Sequence, residues 1–93
     1  MTGEEPRSQA VMQQVIYRAL RNAVRDTGLR IHRPPGLAGA YLSGPRVHAY
    51  VIAKGDSYQI DLWKPNGRDP YRSTACAGLD VAVDTALVAA VER

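Results

Sequence analysis

Cysteine occurs once in these 93 residues, as Cys76, so the chain can close no disulfide on itself. A metal site built on paired thiolates is excluded for the same reason. Histidine occurs twice, as His32 and His48, and their separation fits neither HxxxH nor HExxH. We therefore expect no metal ligands. No apolar run approaches the roughly 20 residues that span a bilayer. The opening Met1-Thr2-Gly3-Glu4-Glu5-Pro6 has neither the basic start nor the apolar centre of a signal peptide, which points to the cytoplasm. A Walker lysine loop, GxSxG and GxGxxG are all missing. The aspartates at 56, 61, 69, 80 and 84 are scattered over different elements, and spacing alone gives no convergent acid–base pair. These absences point away from an enzyme and away from a bound cofactor.

What is present is an ordinary globular composition, 45% apolar and 23% charged. The length suits one domain with one modest core. We expect a flexible tail over 1–7 and a single domain over 8–93. Lysine is scarce: ten of the twelve basic residues are arginine. Residues 1–46 hold seven arginines against Glu4, Glu5 and Asp26, whereas residues 47–93 carry a slight acidic excess. Arginine forks suit phosphate and carboxylate better than lysine does, although a GC-rich genome accounts for the same bias.

Apolar residues recur at three- and four-residue steps from Val11 to Val24 and predict a helix over Ser8–Thr27. Ser8 is its expected N-cap and Gly28 its C′ residue. Val11, Met12, Val15, Ile16, Ala19, Leu20, Ala23 and Val24 are its expected core side. Arg18, Arg21 and Arg25, with Gln14, fall opposite. Leu29–Arg33 alternates as a short strand, stopped by Pro34-Pro35. Residues 34–46, with three glycines and three prolines, read as a loop holding at most a brief strand at Gly39–Leu42. Two β-rich runs, 46–54 and 57–64, flank Gly55-Asp56, a pairing suited to a type I′ or II′ turn. That register pairs Ala53 with Tyr58, Val51 with Ile60 and Ala49 with Leu62 on a core face. The other face pairs Ile52 with Gln59, Tyr50 with Asp61 and His48 with Trp63. A last strand is expected over Tyr71–Ala75. A helix over 79–92 should use Leu79, Ala82, Val83, Ala86, Leu87 and Ala90 as its core side. Cys76, just before it, reads as a small core residue. The expected fold is α+β: a two-layer sandwich, with an antiparallel sheet of about three strands and both helices on one face.

The resulting α-β-β-β-α order over residues 8–92 resembles the double-stranded-RNA-binding domain. That family opens its second helix with a lysine cluster for phosphates, whereas this chain has Thr74-Ala75-Cys76-Ala77-Gly78-Leu79-Asp80 there. The resemblance thus implies the element order and no site residues.

Three surfaces remain as candidates. His48, Tyr50, Asp61 and Trp63 should lie together on the sheet face away from the helices, a combination suited to a protein partner. The competing arrangement folds the 34–46 loop over that face, with Leu37, Tyr41 and Leu42 as cover. Arg18, Arg21, Arg25, Arg30 and Arg33 form a possible nucleic-acid stripe. Val81 and Val88, off the core side of the last helix, offer a homodimer contact. The expected function is a small non-catalytic module acting through a protein partner, a regulator or inhibitor of the kind phages and mobile elements encode. The alternative is an RNA- or DNA-binding protein using the arginines.

Overall fold

A computed structural model of the chain describes residues 9–92. Seven elements follow one another: α1 (Gln9–Ala23), β1 (Arg30–His32), β2 (Gly39–Ser43), β3 (His48–Lys54), β4 (Ser57–Trp63), β5 (Arg72–Cys76) and α2 (Leu79–Val91). The strands form one antiparallel meander in chain order. Both helices pack on one face of it, giving a two-layer α+β arrangement around one apolar cluster. Among the described residues no helix is long and apolar enough to cross a membrane. The expected tail over 1–7 and the Ser8 cap lie outside the described residues.

The β3–β4 hairpin has the expected register throughout, from His48 opposite Trp63 to Lys54 opposite Ser57. Gly55 holds φ +60, while Asp56 is not among the residues of positive φ. That combination is the type II′ requirement, and its twist matches the flanking strands. Alternation then sends Ala49, Val51, Ile60 and Leu62 into the core.

The sheet has five strands rather than about three, which also separates it from the α-β-β-β-α order. β1 falls inside the short strand expected over Leu29–Arg33, and β2 is the brief strand allowed for at Gly39–Leu42, which pairs fully within the sheet in a segment otherwise read as loop. Glycine misled there. A Cβ at Gly39 would fall on the carbonyl oxygen of Val51 and stand 2.9 Å from Ile52 Cα. One at Gly44 would fall on the carbonyl oxygen of Ala90, in α2. Both glycines permit close backbone approach within the packed domain, and Gly44 also flanks the β2–β3 turn, its amide donating to the Val47 carbonyl at 3.0 Å. Leu42, expected as possible cover for the outer face, is fully buried on the helix side, opposite Ile31 of β1.

Helix α1 ends at Ala23, four residues early. The chain leaves it through a turn in which Asp26 takes φ +65 and the Thr27 hydroxyl donates to the Val24 carbonyl at 2.7 Å. Thr27 Oγ1 in turn accepts the Leu29 amide at 3.1 Å. Ile16 and Leu20 are fully buried, whereas Val11 and Val15 are 44% and 41% exposed. At about 100° per residue, Ile16 and Leu20 point one way and Val11 and Val15 lie more than 90° from their mean direction. The apolar side expected for this helix was therefore drawn too wide. In α2, Ala82, Ala86 and Ala90 are fully buried, and small side chains there let the helix lie close to the sheet.

Candidate functional site

Strand alternation sets a second row of side chains on the sheet face away from the helices. The registers align His32 of β1, Tyr41 of β2, Tyr50 of β3 and Asp61 of β4 across the strands. A neighbouring row aligns Arg30, Ser43, His48 and Trp63. Five rings thus meet on one face. His32 stacks on Tyr41 with centroids 4.7 Å apart, and Tyr41 stacks on Tyr50 at 4.3 Å, both at 21° between planes. These spacings lie close to the roughly 4.8 Å between strands, so the rings stand on the sheet and stack along the hydrogen-bonding direction. Diagonal contacts complete the group: His48 on Tyr41 at 5.4 Å and Trp63 beside Tyr50 at 5.8 Å. Each such pair contributes about 0.5–1.5 kcal/mol beyond its burial.

His48 and Trp63 are opposite one another in register, as expected, but each ring turns diagonally toward a tyrosine. The His48 ring also has its Nε2 3.5 Å from Ser43 Oγ. Asp61 sits at the edge of the patch, 8% exposed, the one buried charged residue among those described. Gln59 Nε2 donates to its Oδ1 at 2.8 Å. Burial raises the pKa of the Tyr50 phenol, and the neighbouring Tyr41 raises it further. Tyr50 therefore keeps its O–H donor across the neutral range.

The 34–46 segment does not cover this face. Gln13 of α1 draws its first part to the helix layer by donating to the carbonyls of Pro34, Leu37 and Gly39 at 2.8, 3.1 and 3.0 Å. The second part is β2 itself, which widens the face by adding Tyr41. His32 and Tyr41 are the members that sequence reasoning left out. The signal was present in the alternation of Gly39–Ser43 and of Leu29–Arg33. What was lacking was the pairing of those two runs with each other and with β3.

The five arginines are not brought together. Arg18 and Arg21 on α1 and Arg25 in the turn after it are exposed and, with Asn22, line a cleft of about 460 Å³. Arg33 lies over the Tyr17 ring, its Cζ 4.3 Å from the centroid. Arg30 belongs to the opposite side of the molecule, on the outer sheet face beside Ser43. Cys76 is half-buried against the core. Val81 and Val88 are exposed on α2. Among the described residues no three of His, Cys, Asp and Glu converge as metal ligands do. The chain matches no known family model, no curated protein and no solved structure, so the reading of these surfaces rests on their chemistry alone.

Proposed function

We propose that this domain is a non-catalytic binding module that docks a protein partner on its outer sheet face, through His48, Tyr50, Asp61 and Trp63 together with His32 and Tyr41. The observation that carries this reading is the stacked ring ladder. Its rings are packed against one another and held at strand spacing, so they present edges and polar tips at little cost in side-chain entropy. Such apolar bodies with hydroxyl, imidazole and indole tips are what protein interfaces concentrate. The same geometry argues against a base-stacking platform, since the ring faces are already occupied and a nucleobase needs a free one. Asp61 follows Tyr50 in the same cross-strand row and adds a carboxylate, held by Gln59, at the edge of the patch.

A module of this size acts by occupancy, as a regulator or inhibitor that covers part of its partner. We place that action in the cytoplasm, where a lone thiol such as Cys76 stays reduced. Val88, 69% exposed, and Val81 give α2 a second apolar flank, which fits contact with another copy of the chain.

The test uses the whole chain as bait in affinity capture, with wild type, Tyr50→Ala and Trp63→Ala compared protein by protein. A single partner retained by wild type and weakened about 30-fold or more by Trp63→Ala is the expected result, since losing a central tryptophan anchor costs about 2–4 kcal/mol. A partner held equally by all three proteins would place the interface elsewhere.

A further inference from the structure

We infer that the solvent face of α1, with the turn just past its end, is a docking strip for the phosphate backbone of nucleic acid, with Arg18, Arg21 and Arg25 as its contacts. This does not rest on the protein-partner reading, because the strip lies on the helix layer and the ring patch lies on the opposite side of the sheet.

The helix geometry comes first. At about 100° per residue, Arg18 and Arg21 fall within an arc of about 60° on α1, and Arg25 follows in the turn just past its end. Their arc is centred nearly opposite Ile16 and Leu20, which are fully buried. The strip therefore projects straight out from the core.

Charge comes second. Helix α1 contains no carboxylate between Gln9 and Ala23. Among the described residues, none of Arg18, Arg21 and Arg25 has an ion-pair partner. Arg18 and Arg21 are three residues apart, a spacing at which like charges on a helix repel, and Arg25 lines the same cleft from the turn beyond. A solvated helix face ordinarily interleaves acids at those positions. Within α1 the repulsion has no counter-charge, and an external line of anions relieves it. Guanidinium forks bind phosphate with two parallel hydrogen bonds, and Asn22 adds a neutral donor in the same cleft.

The class of ligand follows from what each candidate needs. A membrane surface would need a broad apolar helix face to insert, and with Ile16 and Leu20 buried α1 leaves only Val11 and Val15 exposed for it. An acidic protein must match three cations at one set of spacings. Duplex nucleic acid carries one charge per about 1.7 Å, so it meets an array of this length in any register. Contacts of this kind position the chain without reading sequence.

The experiment is fluorescence anisotropy of a labelled 20-bp duplex, and of one of its strands, titrated with the whole chain at several salt concentrations. Three phosphate contacts predict a slope of log K against log salt near −2.7 on the duplex. Arg21→Ala should lower that slope by about 0.9, and Arg18→Ala with Arg21→Ala and Arg25→Ala together should abolish binding. Replacing all three by Lys should keep the slope and weaken affinity, since charge survives and the fork does not. Trp63→Ala should bind as wild type does. Melting by circular dichroism checks that each variant is folded. A triple-alanine variant that is folded and binds with an unchanged slope overturns the proposal. So does absence of binding by wild type at about 50 mM salt, where even non-specific contacts hold. Equal binding of wild type to anionic vesicles or to a poly-glutamate peptide, lost in the same triple variant, overturns the assignment to nucleic acid.

Discussion

Single atoms decide several features of this domain. Gly39 has no room for a methyl group, because the backbone of β3 occupies the place where a Cβ would be. Backbone cannot rotate aside as a side chain can, so Gly39→Ala should cost more than about 3 kcal/mol, or prevent folding outright, as read by urea denaturation. Asp61 gives a second case. Its Oδ1 is bonded to Gln59 Nε2, so Gln59→Ala leaves a buried carboxylate without that donor and should cost about 1–3 kcal/mol. Ile60→Ala, one residue away on the core face, should cost about 2–5 kcal/mol. Tyr50 supplies a pH dependence. Its folded-state pKa is raised above the ordinary 10.0, so the unfolded chain releases the phenol proton first as pH rises. Stability contributed by the protonated phenol is complete below about pH 10 and is lost as pH climbs through the folded pKa. Melting temperatures of wild type and Tyr50→Phe, followed from about pH 9 to about pH 11, should show wild type falling relative to the variant as pH rises past about 10.

At the scale of elements, the unexpected joint is between α1 and the segment that follows β1. One amide nitrogen of Gln13 faces three carbonyls, those of Pro34, Leu37 and Gly39, and shares two hydrogens among them. Gln13→Ala removes the tie and should destabilise the domain by about 1–3 kcal/mol. Amide hydrogen exchange should quicken in β2 more than in β4, because β2 opens directly from the tied loop and one of its neighbours, β1, has only three residues, whereas β4 lies between two longer strands. Unchanged exchange at Ala40 and Leu42 would mean that β2 is held by its strand pairing alone. The hairpin β3–β4 needs no such support, since its turn and its two faces already fix its register.

Considered whole, the molecule presents two unlike surfaces with a thin core between them. Arginines project from α1 on one side, and stacked rings project from the sheet on the other. The two binding proposals are therefore separable by mutation. Trp63→Ala should lower the melting temperature only slightly, because the residue is half-buried and its ring meets Tyr50 on the open face at 5.8 Å. A drop of many degrees would mean that Trp63 serves the core and would remove the anchor from the proposed interface. The flank of α2 is tested in the same way. Val81→Asp with Val88→Asp should leave the fold intact, and sedimentation velocity should show a smaller species than wild type if that flank joins two copies.

The sequence by itself determined the elements whose neighbours are close in the chain. Alternation and a Gly-Asp turn specify β3 paired with β4, because slipping by one residue would exchange core and solvent faces. The period of α2 likewise specifies which alanines it buries. That Arg18, Arg21 and Arg25 are exposed followed from their place opposite Ile16 and Leu20. Tertiary structure alone decided the rest. Whether Gly39 and Gly44 belong to a loop or to close packing depends on backbone from β3 and α2, which no local pattern contains. The separation of Arg30 from the α1 arginines depends on β1 pairing with β2. The ring ladder required three strand pairings to hold together before His32, Tyr41 and Tyr50 could fall in one row. Each long-range pairing is set by how the whole core closes, and a short strand of three residues carries too few side chains to announce its partner.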